Sequence, residues 1–472
     1  MLFPSIIFLF AFLPGTLLGY YILLRWTRTG QNIFLCISSL FFYAWGEPKF
    51  VLVMILSIIV NYFMAILVSR FVDQSKQKAR VFLVLDIIFN VIIIFIFKYL
   101  MFTLTNINNL FNSNIAIPDI ALPIGISFFT FQAISYVVDV YRGKGNVQKN
   151  IINVGLYISL FPQLIAGPIV RYETIADQIE NRKESIASFN EGIKRFIIGL
   201  AKKVLIANQM AVIADYAFEL NGDELSVLMA WLGAIAYTLQ IFFDFAGYSD
   251  MAIGLGKMFG FQFLENFNYP YISKSATEFW RRWHISLGSW FRDYVYIPLG
   301  GSRVKTKKRH IFNLFVVWLC TGIWHGANWT FICWGLLYFV LLVFEKFTSY
   351  EIDGKNPRTD WLKHVYTMIF VILGWVMFRA DSISEATHYY SSMFSFNNQI
   401  VDDNFISYIR QFSPYLVAGC VFSTPIMAKI EERMNNKVIY CITEVIVVLL
   451  LLIISISFIV KGSYSPFIYF NF

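Results

Sequence analysis

The sequence predicts an all-α, polytopic integral membrane protein, and three observations carry that prediction. Of its 472 residues, 57% are hydrophobic and only 14% are charged, which is too apolar for a soluble globular protein. Apolar runs long enough to cross a bilayer recur along the whole chain. Lys and Arg cluster in a few short segments, a pattern typical of cytoplasmic loops. A basic face that lies on a membrane predicts membrane lipids as partners and no nucleic acid.

Roughly ten to twelve membrane segments are predicted, several of them short or interrupted. The first 24 residues carry no charge and lack the basic start of a signal peptide, so we expect a retained first span. The stretch Phe161–Pro168 contains two prolines and a glycine, which indicates a re-entrant segment rather than a crossing. The predicted segments are 2–24, 32–45, 50–69, 81–101, 120–140, 151–166, 196–218, 226–258, 311–344 (broken), 362–378, 414–428 and 440–460.

One membrane-embedded domain is predicted, because no internal repeat or long polar linker divides the chain. It comprises N-terminal helices (1–118), a core (119–345) and C-terminal helices (346–472). Five scattered cysteines without a Cys-x-x-Cys pair support neither a disulfide nor a metal site. Positive charge predicts orientation: three basic segments are expected in the cytoplasm and two others outside. These are Arg70–Arg80, Arg142–Lys149 and Ser273–His310 inside, with Thr103–Ile120 and Asn221–Glu224 outside.

The run Ile311–Phe344 holds 34 residues without Asp, Glu, Lys or Arg, and one histidine, His325. A straight helix of that length would span roughly 50 Å, whereas a hydrocarbon core measures about 30 Å. A break at Gly322 and Gly326 is therefore predicted, next to His325. A buried neutral imidazole could act as a general base, and Asn328 could orient it or hold an oxyanion. The alternative is a structural histidine whose ring nitrogens bind a backbone carbonyl or Asn328.

The segment Ser273–His310 carries nine Lys and Arg against two acidic residues. Ser275 and Glu278 have the spacing of a capping box, which predicts one interfacial helix over about residues 276–291. His284 lies on it, and a mere headgroup or backbone contact is as probable for this residue as a functional role. The arginines suit phosphate groups and the tryptophans offer stacking faces. The candidate donor-binding residues are Arg281, Arg282, Trp283, Trp290 and Arg292.

Asp244 and Asp250 are carboxylates within a predicted membrane segment, where an ionised group is costly. Pairing with arginines is the favoured interpretation, and lining a reaction path is the alternative. His310, His364 and His388 lie in polar contexts and are assigned no role. The spacing of His, Cys and acidic residues suggests no metal site, and no serine or cysteine nucleophile motif is present.

Four ordered motifs resemble the membrane-bound O-acyltransferase family, in its alginate O-acetyltransferase type. The resemblance covers essentially the whole chain. The motifs are Glu265–Tyr271, Phe279–Leu287, Trp290–Tyr294 and Trp324–Trp329, with further matches at Ser127–Gln132, Phe161–Arg171 and Ser465–Phe470.

The resemblance implies helices around a tunnel that joins a cytoplasmic donor site to an external acceptor site. The key histidine of the family falls on His325, and its second, more variable position falls on His284. Gln132 and Asn266, in the matched motifs, are expected to be tunnel or structural polar groups, as are Asp244 and Asp250. The implied reaction moves an acetyl group from a thioester to a polysaccharide hydroxyl or a relay protein in the bacterial cytoplasmic membrane.

The acyl donor is expected to be acetyl-CoA, with no bound cofactor, and a separate extracytoplasmic protein is a possible partner in the transfer. One alternative within the family is transfer of D-alanine from a carrier protein to teichoic acid. An alternative from another class is a transporter or flippase for a lipid-linked sugar, since broken helices and buried ionisable groups also build alternating-access sites. The absence of internal repeats argues against it. A purely structural scaffold would not need His325.

Overall fold

Every regular element in the described part of this computed structural model is a helix, which confirms the all-α prediction. Seven of these helices are long and apolar enough to cross a membrane. The wider count of ten to twelve segments, which included short and broken ones, stays a prediction. The structure describes residues 1–24, 27–220, 225–348, 350, 357–395, 399–434, 438–462, 464–466 and 468. The seven candidate spans are Val51–Val72, Lys76–Phe111, Ile186–Glu219, Val227–Met258, Trp329–Phe347, Thr359–Arg379 and Val438–Val460.

The chain divides into two compact units, Met1–Phe196 with Ser249–Leu264, and Ile197–Tyr248 with Glu265–Phe472. The single-domain prediction stays a prediction, and each unit is described by itself. The chain passes from one unit to the other at three points. Two of them lie inside the long helices Ile186–Ala201 and Val227–Met258, and the third lies between Leu264 and Glu265.

The first unit is organised around the helix Ile126–Tyr141, whose residues 126–140 are all buried. Its helical pair Val51–Val72 and Lys76–Ile94 contacts this central helix. Ser75 caps the second member of the pair by accepting a hydrogen bond from the Lys78 amide. The helices of the unit up to residue 181 are Leu13–Leu18, Arg28–Gly46, Val51–Val72, Lys76–Ile94, Leu100–Phe111, Ile126–Tyr141, Ile151–Ser159, Phe161–Leu164 and Tyr172–Asn181, with π-helical turns at Phe8–Phe12, Gly19–Leu23 and Phe95–Tyr99.

The second unit contains both candidate histidines and the aromatic core around them. A π-helical turn, Lys202–Ala207, leads into its first complete helix. The helices that follow are Asn208–Glu219, Ala276–Arg282, Ile285–Phe291, Lys307–His325, Trp329–Phe347, Pro357–Arg379, Ile383–Phe394, Asp403–Phe422, Ile426–Met434 and Val438–Val460, with a short turn at Pro270–Ile272 and a π-helical turn at Arg292–Tyr296.

The long uncharged run forms two packed helices, Lys307–His325 and Trp329–Phe347, joined by an extended turn. A break near His325 is therefore confirmed, and it lies at Gly326. The prediction that Gly322 is part of the break is wrong. Gly322 lies inside the first helix, where an added Cβ would stand 2.6 Å from the carbonyl oxygen of Phe331. Its missing side chain lets the two helices approach closely. We call this pair the histidine hairpin.

The prediction of one helix over residues 276–291 is also wrong, because the structure has two, Ala276–Arg282 and Ile285–Phe291. His284 between them has φ 46°, a left-handed conformation that a helix cannot contain. The Ser275 side chain does cap the first helix, 2.9 Å from the Glu278 amide. Glu278, however, accepts from the Lys274 amide at 2.9 Å rather than from Ser275.

The bounds of one C-terminal segment also differ from the apolar run that predicted it. Residues 414–428 were expected to form a segment, yet the helix is Asp403–Phe422, with Pro414 in its interior. The Phe161–Leu164 helix is four residues long and fully buried, consistent with a segment that does not cross. The acidic stretch Asn221–Glu224 lies outside the described residues, as do Phe467, Tyr469 and Phe470 of the C-terminal motif.

Candidate active site

His325 is the last residue of the first helix of the histidine hairpin, and it is 6% exposed. The next residue, Gly326, is fully extended, so the chain leaves the helix at the histidine itself. An added Cβ at Gly326 would overlap the Phe331 ring. Three aromatic rings stand nearly perpendicular to the imidazole, with centroids 4.9 to 5.1 Å away: those of Trp324, Trp334 and Phe378.

Asn328 is the N-cap residue of the second helix of the hairpin, and its side chain forms hydrogen bonds with backbone groups. Its carbonyl oxygen accepts from the Thr330 amide at 3.2 Å, as an N-cap residue does. Its Nδ2 donates to the carbonyl oxygen of Asp381 at 2.7 Å. These contacts establish Asn328 as the residue that shapes the turn after His325. Its predicted contact with a reacting oxygen stays a prediction.

His284 is 2% exposed and lies in the turn between the two short helices. Its Nδ1 is 3.1 Å from the side-chain oxygen of Asn266, which also accepts from the Ser286 hydroxyl at 2.8 Å. The backbone carbonyl of Asn266 accepts a hydrogen bond from the Ile285 amide at 2.9 Å. Burial lowers the pKa of His284 to about 3, so the imidazole is neutral at physiological pH.

The two histidines belong to one aromatic cluster. The Trp324 ring is 6.0 Å from the His284 ring and 4.9 Å from the His325 ring, centroid to centroid. Trp324 thus neighbours both imidazoles. The sequence predicted that both would belong to the site, and the structure brings them together through this one indole.

A cavity of about 510 Å³ opens beside His284. Its walls are mostly apolar, and three exposed cations, Arg281, Arg292 and Lys346, stand around it. We call these three residues the cationic rim. His310 also faces the cavity, and its Nε2 is 2.9 Å from the hydroxyl of Tyr296. The remaining lining residues include Thr277, Trp280, Ile285, Leu287, Gly288, Ser289, Phe291, Ser302, Leu314, Val317, Trp318, Thr321 and Leu342.

The cavity contains only part of the predicted donor-binding set. Arg281 and Arg292 line it, whereas Arg282 binds Glu278 at 2.9 Å and does not. Trp283 and Trp290 are buried in ring clusters away from the lining, and Trp280 presents its ring instead.

Sequence reasoning missed Lys346 and assigned no role to His310. Lys346 stands just past the uncharged run, and that position is the one signal that could have drawn attention to it.

Glu345 is a further residue that the sequence did not single out. It is 1% exposed, and its carboxylate accepts from the Ala276 amide at 2.6 Å and from the Thr277 amide at 2.8 Å. A carboxylate at a helix N-terminus is favourable because it satisfies free amides and complements the helix dipole. Glu345 therefore ties the helix that carries Arg281 to the histidine hairpin.

Asp244 and Asp250 form ion pairs. The Asp250 carboxylate is 2.6 Å from Arg195, as predicted for an arginine partner. Asp244 pairs with Lys203 at 2.8 Å, with both side chains 2% exposed, so its partner is a lysine instead. The Ile468 amide donates to Asp244 at 3.1 Å, which anchors the C-terminal tail within the second unit. These contacts favour structural pairing over lining a reaction path.

Gln132 is 1% exposed on the central helix of the first unit. Its side-chain oxygen has no hydrogen-bond partner among the described residues. A buried amide oxygen of this kind is compatible with either predicted role, polar tunnel lining or structure. Within the same described part, no three His, Cys, Asp or Glu side chains come together as a metal site would require.

Comparisons with known proteins agree with this geometry. The model of the membrane-bound O-acyltransferase family matches residues 147–384, a range that contains both histidines and the cavity. The chain is 39% identical to the probable alginate O-acetylase AlgI of Pseudomonas putida, over 100% of both chains. It is 34% identical to the peptidoglycan O-acetyltransferase of Helicobacter pylori, over 100% of this chain and 98% of that protein.

A more distant relative is the teichoic acid D-alanyltransferase of Bacillus subtilis, 33% identical over 54% of this chain and 68% of that protein. These matches identify an acyltransferase family rather than a transporter. The chain therefore belongs to the membrane-bound O-acyltransferase family and is a multi-pass membrane O-acyltransferase.

Proposed function

We propose that this enzyme transfers an acetyl group from cytoplasmic acetyl-CoA to a hydroxyl group of a polysaccharide outside the cell. The observation that carries the proposal is the cavity beside His284, which combines apolar walls with the cationic rim. A long uncharged arm ending in a thioester, attached to a phosphorylated nucleotide, matches that combination of surfaces.

Donor binding would use the two kinds of surface separately. Arg281, Arg292 and Lys346 supply positive charge for the phosphates, and guanidinium groups bind phosphate oxygens in pairs. The arm would lie along the apolar wall that includes Trp280 and Trp318, with the thioester near His284.

The chemical step assigns the general base to His325. Its neutral imidazole would take the proton of the acceptor hydroxyl while that oxygen bonds to the thioester carbon. The carbon–sulfur bond then breaks and the thiolate leaves with the electron pair. The proton that His325 took from the hydroxyl is passed on to the thiolate, which gives the free thiol and returns His325 to its neutral form. The turn shaped by Asn328 supports the developing oxyanion. An alternative within the same geometry is that His325 carries the acetyl group transiently.

The acceptor is inferred from relatives whose names state alginate O-acetylase and peptidoglycan O-acetyltransferase activity. Both names specify a bacterial envelope or secreted polymer, which supports a polysaccharide acceptor and a place in the bacterial cytoplasmic membrane. A separate external protein could complete the transfer. Mass analysis of surface polysaccharides, with and without the gene, would identify the acetylated polymer.

The second candidate is transfer of D-alanine from a carrier protein to teichoic acid, supported by the partial match to a teichoic acid D-alanyltransferase. In that case the cationic rim would bind an acidic carrier protein instead of a nucleotide. The coverage of the match favours acetyl transfer, because the O-acetylase relative aligns over the whole chain.

A direct test uses purified protein in lipid nanodiscs with acetyl-CoA labelled in the acetyl group. We expect cleavage of the thioester, or transfer of label to added polysaccharide, that depends on His325. A D-alanyl carrier protein provides the competing donor in a parallel reaction. Cleavage of the carrier thioester alone would establish the second candidate, and an intact thioester in both reactions would contradict the proposed enzyme activity.

A further inference from the structure

We infer that Asn266 is a positioning residue that fixes the tautomer of His284, so that Nε2 offers a lone pair to the donor cavity. The inference rests on the proposed function for its role in catalysis, but its structural content stands on the hydrogen bonds of one turn. It assigns His284 the part of hydrogen-bond acceptor toward the bound donor.

The amide oxygen of Asn266 determines which nitrogen of His284 carries hydrogen. The Ser286 amide approaches the Asn266 oxygen to 3.3 Å, and a backbone N–H can only donate. The atom facing this turn is therefore the carbonyl oxygen and not the NH₂ group. That same oxygen is 3.1 Å from His284 Nδ1. Two lone pairs would repel at this distance, so Nδ1 carries the hydrogen and donates it.

The other ring nitrogen is then unprotonated in the neutral imidazole. Nε2 of His284 is buried and has no hydrogen-bond partner among the described residues. His284 is also one of the residues that line the donor cavity. A buried acceptor without a partner is costly in a folded protein, so its persistence indicates a ligand group that completes it. The amide N–H groups of a pantetheine arm, common to coenzyme A and carrier proteins, have the required chemistry.

The backbone holds this arrangement in a strained conformation. His284 has φ 46°, which non-glycine residues adopt rarely and at an energetic cost. The Asn266 carbonyl binds the next amide, that of Ile285, at 2.9 Å, and the side chain binds Ser286 as described. One residue thus stabilises the turn and selects the tautomer, which explains why a helix expected to be continuous is broken here.

The other groups around His284 do not oppose this tautomer. The Ser286 hydroxyl is 3.4 Å from Nδ1, but its hydrogen is donated to the Asn266 oxygen, so toward Nδ1 it can only accept. The ring contacts of His284 are with Phe245 and Trp324, neither of which titrates. The titratable side chains that line the cavity are Arg281, Arg292, Lys346, Tyr296 and His310. These groups are the same in the wild-type protein and in the Asn266 variants, so their effect on the pH dependence cancels when the two are compared.

The first test needs no catalytic assay. Protein labelled with ¹⁵N-histidine is measured by NMR in nanodiscs, and the His284 signals are assigned by their loss in His284→Gln. We expect a protonated Nδ1 and an unprotonated Nε2 at every pH between about 5 and 8. Addition of coenzyme A should shift the Nε2 signal. A protonated Nε2 in the wild-type protein would overturn the inference.

The second test compares two variants of similar size, Asn266→Asp and Asn266→Leu. Asp keeps an acceptor for Nδ1, whereas Leu removes it, so Leu should populate the Nε2–H tautomer and lower kcat/KM for acetyl-CoA about tenfold or more. The carboxylate of Asp favours the imidazolium and so raises the pKa of His284. The Asp variant should therefore be active at alkaline pH and lose activity as pH falls through that raised value.

The outcomes separate the inference from the proposed function. Equal losses in both variants at all pH values, with the wild-type tautomer retained, would show that Asn266 is only structural and would overturn the positioning role. If wild-type protein fails to use acetyl-CoA at all, the proposed donor is wrong. The NMR measurement then still decides which nitrogen of His284 is protonated.

Discussion

The two histidines of this enzyme both lie where a helix breaks, yet the two breaks are built differently. At the first break, the turn at His284 is fixed by hydrogen bonds from Asn266. At the second, His325 ends a helix of the hairpin, and three aromatic rings stand edge-on around it. Packing of rings determines where an imidazole lies, whereas a hydrogen bond also selects which nitrogen carries the proton.

That difference predicts different sensitivities. Changes in hairpin packing should affect the position of His325, and changes in amide chemistry at Asn266 should affect the tautomer of His284. The cavity beside His284, the proposed donor site, adds a third region, and there we expect the neighbouring Arg281 and Arg282 to differ in role. Substitutions in each region test whether the roles are divided in this way.

The largest effect is expected at His325. Replacement by Ala removes the proposed base, and a general base contributes about two to four powers of ten in rate. We expect His325→Ala to lower kcat for acetyl transfer by that factor, measured with labelled acetyl-CoA in nanodiscs, while the protein still inserts in the membrane.

His388 provides the matched control, because it is an exposed histidine on the helix Ile383–Phe394. His388→Ala should retain wild-type kcat. Near-normal transfer by His325→Ala at equal protein level would remove His325 from the mechanism and leave it a structural role.

The next effect tests whether hairpin packing positions His325. Gly322→Ala places a Cβ 2.6 Å from the Phe331 carbonyl oxygen, so the two helices must separate. We expect a loss of about 1–3 kcal/mol in the free energy of unfolding, typical of overpacking, together with a lower kcat. Gly15→Ala is the control, because nothing lies within 4 Å of its added Cβ. Thermal unfolding and kcat are measured on the same samples, and an unaffected kcat in Gly322→Ala would separate hairpin packing from catalysis.

The sequence predicted the hairpin but not the turn at His284, and the reason is physical. A 34-residue uncharged run is longer than a membrane, so a break was required by length alone. Capping and periodicity, by contrast, indicated a continuous helix through His284. The contacts that break it come from Asn266, 18 residues earlier in the chain, and local sequence patterns carry no information about such a contact.

The lining of the cavity also depends on contacts between distant parts of the chain, which the sequence predicted only in part. Arg281 and Arg292 were predicted from their composition and spacing, and both line the cavity. Lys346 reaches it only because the hairpin returns its second helix to that place, and His310 because of its position at the start of the first. Trp283 was expected to offer a stacking face, but the break at His284 places it in the core. Because one continuous helix was assumed, the side of the helix on which Trp283 would lie was predicted wrongly.

A moderate effect is expected at the cationic rim. Arg281→Gln and Lys346→Gln each remove one charge proposed to bind donor phosphates, and both side chains are exposed and screened by water. We expect KM for acetyl-CoA to rise about five- to tenfold in each variant, with kcat little changed and the difference shrinking at high salt. Lys429→Gln, at an exposed lysine on the helix Ile426–Met434, is the control. An unchanged KM in both rim variants would show that donor phosphates bind elsewhere.

The smallest effect is expected at Arg282, and it tests the contrast with its neighbour Arg281 most directly. Its guanidinium is held by Glu278 at 2.9 Å and donates to the Asn268 carbonyl at 3.0 Å, outside the cavity lining. The two side chains are partly exposed, and an ion pair one helical turn apart stabilises a protein by only about 0.3–0.5 kcal/mol. Arg282→Gln should therefore keep KM for acetyl-CoA within about twofold of wild type and lower the unfolding free energy by a few tenths of a kcal/mol. A rise in KM equal to that of Arg281→Gln would mean that Arg282 leaves Glu278 and the Asn268 carbonyl when the donor binds.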